Sequence, residues 1–302
     1  MEQAPVGDAE LEYEVVGVGE PVVFIHGAFV ADALVPLRNE DALGDRYRLI
    51  FYRRRGYVGS SPVAEPVGVP QQAADCAALL AYLDVERAHV VAHSYGGCVA
   101  LQLAREAPEL VHSLVLLEPG LAVGASGPGY REALARGTQR FREAAADVVV
   151  DEFLEARWTG YRDGLEAALP GAFVQAVADA RTWFDFEMSG QLEWLAEEFP
   201  WTEIEQPTLS VVGGASNELW PRFGEVHQFL LETLPDVEGF ILPGATHFLQ
   251  LETAERRRDL ADALAGFLGR HPFSAGSLGT RPPGPQAALP GAPVPCAVTT
   301  RP

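Results

Sequence analysis

Ala92-His93-Ser94-Tyr95-Gly96-Gly97 is the stretch on which the fold turns. It joins an apolar run, Ala88 to Ala92, which reads as a strand, to a stretch of helical period, Gly97 to Ala107. A serine at such a junction sits on a tight, strained turn that lifts its side chain above the sheet. The residues two before and two after it need to be small because backbone crowds the turn. Ala92 and Gly96 meet that requirement. A small-x-Ser-x-small match alone arises often by chance; the strand–turn–helix setting gives it weight. The competing role for Ser94 is that of an ordinary N-cap on the helix that follows.

The same alternation extends on both sides. Leu11 to Val16, Pro21 to Ile25 and Tyr47 to Tyr52 read as strands, Val69 to Leu83 as a helix, and Ser113 to Leu117 as a strand. After a long interruption, Thr208 to Val212 and Gly239 to Leu242 resume as strands, with Phe223 to Leu234 and Thr253 to Leu268 as helices. This order predicts an α/β fold, a mostly parallel twisted sheet flanked by helices on both faces. The interruption, residues 121–206, is helical and aromatic, with no strand pattern longer than Val148-Val149-Val150, and reads as a helical cap insertion. The expected organisation is a core of residues 1–120 and 207–270 around that cap, followed by a disordered tail of Pro, Gly, Ala and Ser over 271–302.

Composition narrows the function. The chain has 302 residues, 48% of them hydrophobic, which fits one large α/β domain with an insertion, or two small domains, and a sizeable buried core. All 22 basic residues are arginine, which excludes Schiff-base, pyridoxal-phosphate and P-loop chemistries that need a lysine. The bland explanation of the missing lysines is codon usage. A net charge of −20 argues against nucleic acid or an anionic membrane as a partner. The three cysteines, Cys76, Cys98 and Cys296, show no metal-ligand spacing, and no metal or cofactor is expected. No leader or 18-residue apolar run is visible, so a cytoplasmic protein is expected, with a homodimer one assembly open to it.

A serine nucleophile needs a base, and Pro243-Gly244-Ala245-Thr246-His247-Phe248 supplies one just after the last strand. The other histidines are placed less well. His271 lies at the tail, His112 and His227 fall in or beside helical stretches, His89 leads into a strand and His93 borders Ser94.

With His26-Gly27, Arg54-Arg55-Gly56-Tyr57-Val58-Gly59-Ser60, the Ser94 turn and Gly244-Ala245-Thr246-His247, the chain resembles the α/β-hydrolase superfamily over residues 10–270. It departs from that family in carrying Arg53 after Tyr52, where Asp often precedes the Arg-Gly segment. The resemblance implies an oxyanion hole made by the main-chain N–H groups of Ala28 and Tyr95, with His26 holding its loop. It also implies a triad acid at one of two places. The usual loop, Gly213-Gly214-Ala215-Ser216-Asn217-Glu218-Leu219, has no Asp, which leaves Glu218. The other place, the end of the strand before the cap, has Leu116-Leu117-Glu118-Pro119-Gly120, and Glu118 is the preferred acid, with Glu218 in reserve. Some lactone hydrolases put their acid there.

The expected function is a serine hydrolase cleaving an ester or lactone of a moderately large apolar small molecule through an acyl-enzyme. Trp183, Phe184 and Trp220 are the pocket candidates among the aromatic residues. An acidic surface disfavours a highly anionic substrate unless a local Arg overrides it. The alternatives are carbon–carbon bond hydrolysis on the same triad, or a non-catalytic ligand-binding protein of this fold.

Overall fold

Strand β3, Glu20–Ile25, is apolar on both faces, the pattern of a strand with helices above and below it. It pairs in parallel with β4 (Tyr47–Tyr52) on one side and β5 (Ala88–His93) on the other. The computed structural model describes residues 1–273, and residues 1–272 form one compact unit. The expected 271–302 tail lies outside the described residues from position 274 onward, as does Cys296.

The remaining strands are β1 (Glu2–Val6), β2 (Ala9–Val16), β6 (Val111–Leu117), β7 (Thr208–Gly213) and β8 (Val237–Leu242). They form one eight-stranded sheet in the order β1-β2-β4-β3-β5-β6-β7-β8. Only β2 runs against the others, pairing antiparallel with both β1 and β4. Strand β1 carries no sequence signal because Pro5 interrupts it, and a proline is tolerated there because β1 is an edge strand.

The helices are α1 (Asp41–Gly44), α2 (Val69–Tyr82), α3 (Tyr95–Glu106), α4 (Gly127–Glu143), α5 (Ala146–Glu155) and α6 (Tyr161–Ala168). They continue with α7 (Ala172–Arg181), α8 (Met188–Trp194), α9 (Ser216–Leu219), α10 (Arg222–Thr233) and α11 (Ala254–Arg270). Helices α4 to α8 lie between β6 and β7, with a π-helical turn at Thr182–Glu187. Val148-Val149-Val150 belongs to α5, its β-branched character overridden by an apolar face that packs into the core.

Alternating strand side chains divide the interior in two. Val23, Ile25, Val90, Ala92, Leu114 and Leu116 meet α2 and α3 on one face. Val22, Phe24, Val91, Val115 and Leu117 meet the apolar side of α11 on the other. Cys76 and Cys98 are buried in the first layer as small apolar side chains. Because β3, β5, β6, β7 and β8 are all parallel, their carboxyl ends fall on one edge. Ile25 stands beside Ala92, His93 beside Leu117, and Gly213 beside Leu242. Whatever follows those strands is gathered there.

One buried ion pair ties the helical segment between β6 and β7 to the sheet. The Arg54 guanidinium meets both Glu187 oxygens, and Glu187 also accepts from Tyr57 Oη (2.6 Å) and Gln72 Nε2 (2.7 Å). Both charged side chains are fully buried. Glu187→Gln would strand the Arg54 charge, so it should cost about 3–5 kcal/mol and lower the urea midpoint accordingly. Arg140→Gln breaks only the exposed Arg140–Glu152 pair and should leave the midpoint in place. A Glu187→Gln midpoint equal to wild type would refute the assigned role of the pair.

Candidate active site

Ser94 follows β5 with φ 54° and ψ −119°, a strained backbone for any residue with a side chain. The strain is held by close packing. A Cβ added to Gly96 would lie 2.3 Å from the Ile25 carbonyl oxygen, so only glycine lets the turn approach β3. Ser94 precedes α3 without making a side-chain capping bond, which removes the N-cap role and leaves its hydroxyl for other work. Glu118, one strand over, also has positive φ (43°), and its N–H donates to Val211 O at 3.0 Å.

These two turns and the loop after β8 bring three side chains into line. His247 Nε2 lies 3.0 Å from Ser94 Oγ, and His247 Nδ1 lies 2.7 Å from Glu118 Oε2. Because an ionised carboxylate only accepts, Nδ1 carries the proton and Nε2 is left to accept from Ser94. Glu118 Oε1 accepts from Gly213 N (2.7 Å) and Ser216 Oγ (2.5 Å). Ser216 thus stands where the resemblance would place an Asp, and it donates to the acid instead of being one. Glu218 is exposed on α9 and outside this chain of bonds, so geometry separates the two carboxylates that the sequence left open.

The imidazole is held through its main chain as well. The His247 carbonyl accepts from buried His93 Nε2 at 2.8 Å, and its N–H donates to Arg157 O at 3.3 Å. Thr246 donates through both its N–H and its hydroxyl to Glu252. His26 Nε2 accepts from Arg54 N at 3.0 Å, while its Nδ1–H faces Gly27 O at 2.8 Å, which pins the loop after β3. Arg54 Nη2 reaches the same Gly27 carbonyl at 3.0 Å. The next residues are Ala28 and Phe29, the latter with φ 54°. Among the described residues, neither the Ala28 nor the Tyr95 main-chain N–H is taken by a protein acceptor.

The three aromatic candidates are placed unequally. Trp183 packs edge-on against Tyr95, with ring centroids 5.2 Å apart, and Phe184 lies 5.3 Å from Phe29. Both are buried, Trp183 touching the residue after Ser94 and Phe184 touching the residue after Ala28. Trp220 is half-buried and packs edge-on against Tyr130, with ring centroids 5.6 Å apart. Sequence reasoning missed Tyr130, Arg157 and Arg222, since isolated residues in aperiodic stretches carry no local signal.

The electrostatics favour a neutral base. Burial, and then the charges of Arg157 and Arg222, hold the His247 pKa well below its usual value. Burial pushes the Glu118 carboxyl up, opposed by the Ser216 and Gly213 bonds and by nearby His93 and Arg222. Among the described residues, no group of three or more His, Cys, Asp or Glu could hold a metal ion, and no helix is long and apolar enough to cross a membrane.

Comparison with known proteins agrees with this architecture. The sequence model of the alpha/beta hydrolase family matches residues 22–263. The chain is 38% identical over 124 residues to the dihydrolipoyllysine-residue acetyltransferase component of the acetoin cleaving system of Cupriavidus necator, covering 41% of this chain and 33% of that protein. It spans less than half the length of the first curated relatives that it matches. In three dimensions it is similar to a thermophilic esterase from Thermogutta terrifontis, with TM-score 0.72 and 21% identity, covering 90% of this chain and 100% of that one. It is also similar to the enol-lactonase from Burkholderia xenovorans, with TM-score 0.72 and 19% identity, covering 89% and 100%. At those identities the two structures speak for the fold alone.

A lowered His247 pKa means that the free base survives into mildly acidic solution. The acid limb of kcat/KM against pH should therefore lie below pH ~6.5, the value of an unperturbed imidazole. A limb centred at or above that value would contradict the assigned electrostatics.

Proposed function

The chain belongs to the alpha/beta hydrolase family, and on that premise we propose that it is a serine hydrolase cleaving an ester or lactone of a moderately large apolar substrate. The observation that carries this reading is the unbroken line from Ser94 Oγ through His247 to a carboxylate buried at Glu118. Ser94 attacks the carbonyl carbon as His247 Nε2 takes its proton. Negative charge then develops on the carbonyl oxygen, and the Ala28 and Tyr95 N–H groups receive it. Each such donor is worth about 3 kcal/mol to the transition state.

Glu118 keeps the imidazole in the tautomer that leaves Nε2 free, and it stabilises the imidazolium while the proton is held. His247 returns the proton to the departing alkoxide, which leaves an acyl group on Ser94. Water, deprotonated by the same imidazole, adds to that ester, and collapse of the second tetrahedral intermediate frees the acid and Ser94. Rings at Trp183, Phe184 and Trp220 support an apolar substrate body.

Turnover of an aryl or lactone ester panel tests the reading. Ser94→Ala should lower kcat/KM by at least about 10⁴-fold with an unchanged fold. Glu118→Gln should cost on the order of 10³- to 10⁴-fold, because it favours the wrong tautomer, whereas Glu218→Gln should cost almost nothing. Near wild-type turnover by Ser94→Ala would sink the proposal, and the reverse order of the two Glu variants would reassign the acid.

A further inference from the structure

Positive charge gathers around Ser94 and His247 in a chain whose net charge is −20. Arg222 is 2% exposed, and its Nε has no hydrogen-bond partner among the described residues. Its guanidinium is bracketed by the rings of Tyr130 (4.1 Å), Phe223 (4.5 Å) and Trp220 (5.3 Å). Its Nη1 reaches only carbonyl oxygens, those of Leu121 at 3.2 Å and Pro119 at 3.4 Å. Phe223 in turn lies against the His247 ring, with centroids 4.9 Å apart.

Arg157 follows α5, and its own carbonyl accepts the His247 N–H. Its guanidinium sits 3.4 Å over the Phe153 ring, which packs edge-on against Phe29, next to Ala28. Its Nη1 donates to Phe153 O at 2.9 Å. Neither Arg157 nor Arg222 pairs with a carboxylate among the described residues, in contrast to Arg53, Arg54 and Arg55. Burial, with the Arg222 charge as a further cause, pushes Arg157 down to about 10, which leaves it charged at neutral pH.

Glu118 feels the Arg222 charge, but its oxygens are already held by His247, Gly213 and Ser216. Among the described residues, neither guanidinium therefore has a carboxylate partner of its own. A desolvated cation without a counterion, as at Arg222, is unfavourable in the free protein and is satisfied when an anion arrives with a ligand, and the half-buried Arg157 adds a second charge to the same place. Tyr130 adds a hydroxyl beside the same place. Gln191 Nε2 donates to it at 3.3 Å, which leaves its own proton to give. An atom added on Gly120 would lie 3.2 Å from that hydroxyl and 3.5 Å from the carbonyl carbon of Ser94.

We propose that the substrate carries a carboxylate as well as the bond to be cleaved, and that Arg157, Arg222 and the Tyr130 hydroxyl bind that carboxylate beside Ser94. The inference rests on the serine-hydrolase reading and narrows its substrate to an apolar body with one anionic end. The local arginines then override the acidic surface for this class of molecule.

Two matched ester pairs test it. One has the charge on the acyl side, 4-nitrophenyl hydrogen adipate against 4-nitrophenyl heptanoate. The other has it on the leaving group, 3-carboxyphenyl acetate against 3-methylphenyl acetate. In at least one pair, kcat/KM for the anionic ester should exceed that for the neutral one by about tenfold or more, the scale of a charge-assisted hydrogen bond. Arg157→Gln, at a half-buried position, should collapse that ratio towards one. A wild-type ratio under tenfold in both pairs overturns the carboxylate site while leaving ester hydrolysis standing. A ratio that survives Arg157→Gln removes Arg157 from the site. Failure of the folded protein to hydrolyse any of the four esters through Ser94 overturns the hydrolase reading beneath it. The wild-type ratios decide the matter even if the variant does not fold.

Discussion

A carboxylate buried at the end of β6 constrains the whole carboxyl edge of the sheet. Glu118 is 2% exposed, and an ionised group there survives only if its oxygens are fully hydrogen-bonded. Its three donors come from β7 (Gly213), from α9 (Ser216) and from the loop after β8 (His247). Satisfying one side chain therefore fixes three chain segments. The fit is close: a Cβ on Gly213 would come within 2.3 Å of the Ala245 carbonyl oxygen, in the loop that carries His247. The positive φ values at Ser94 and Glu118 are further costs of this arrangement, placed on adjacent strands where the register sets His93 beside Leu117.

A second buried charge, Arg54, connects the helices between β6 and β7 to the same edge. Its guanidinium lies between the rings of Tyr57 and Tyr95, binds Glu187 from the π-helical turn, and reaches the Gly27 carbonyl. Tyr95 and Ala28 supply the N–H groups aimed at the reacting carbonyl in our proposal. One cation thus touches both segments that carry those donors, as well as the helical segment next to them. Arg54 and Arg222 make an instructive contrast. Both are buried and ringed by aromatic side chains, but among the described residues only Arg54 has a carboxylate of its own.

Much of this was legible in the sequence, and for a physical reason. Central parallel strands are apolar on both faces, so β3 to β7 stand out as short β-branched runs, and chemistry at their carboxyl ends can be read from the next few residues. Ser94, Glu118 and His247 all follow strands in this way. Strand β1 was invisible because an edge position tolerates Pro5, whereas Val148 to Val150, a short β-branched run in a stretch read as helical, lies in α5 as that reading expects. The choice between Glu118 and Glu218 required geometry, since each follows a strand at a plausible distance. Arg54 and Glu187 are 133 residues apart, and no local pattern predicts such a pair. The same holds for Arg157 and Arg222, which bind carbonyl oxygens but no carboxylate among the described residues.

The central claim is that the hydrogen-bonded line to Glu118 makes Ser94 a nucleophile. Its most direct measurement is intact-protein and peptide mass spectrometry after treatment with a fluorophosphonate. One phosphonyl group per chain is expected, on the peptide containing Ser94, with greatly slowed labelling in a His247→Ala variant. An unlabelled protein, or label on a serine other than Ser94, would contradict it.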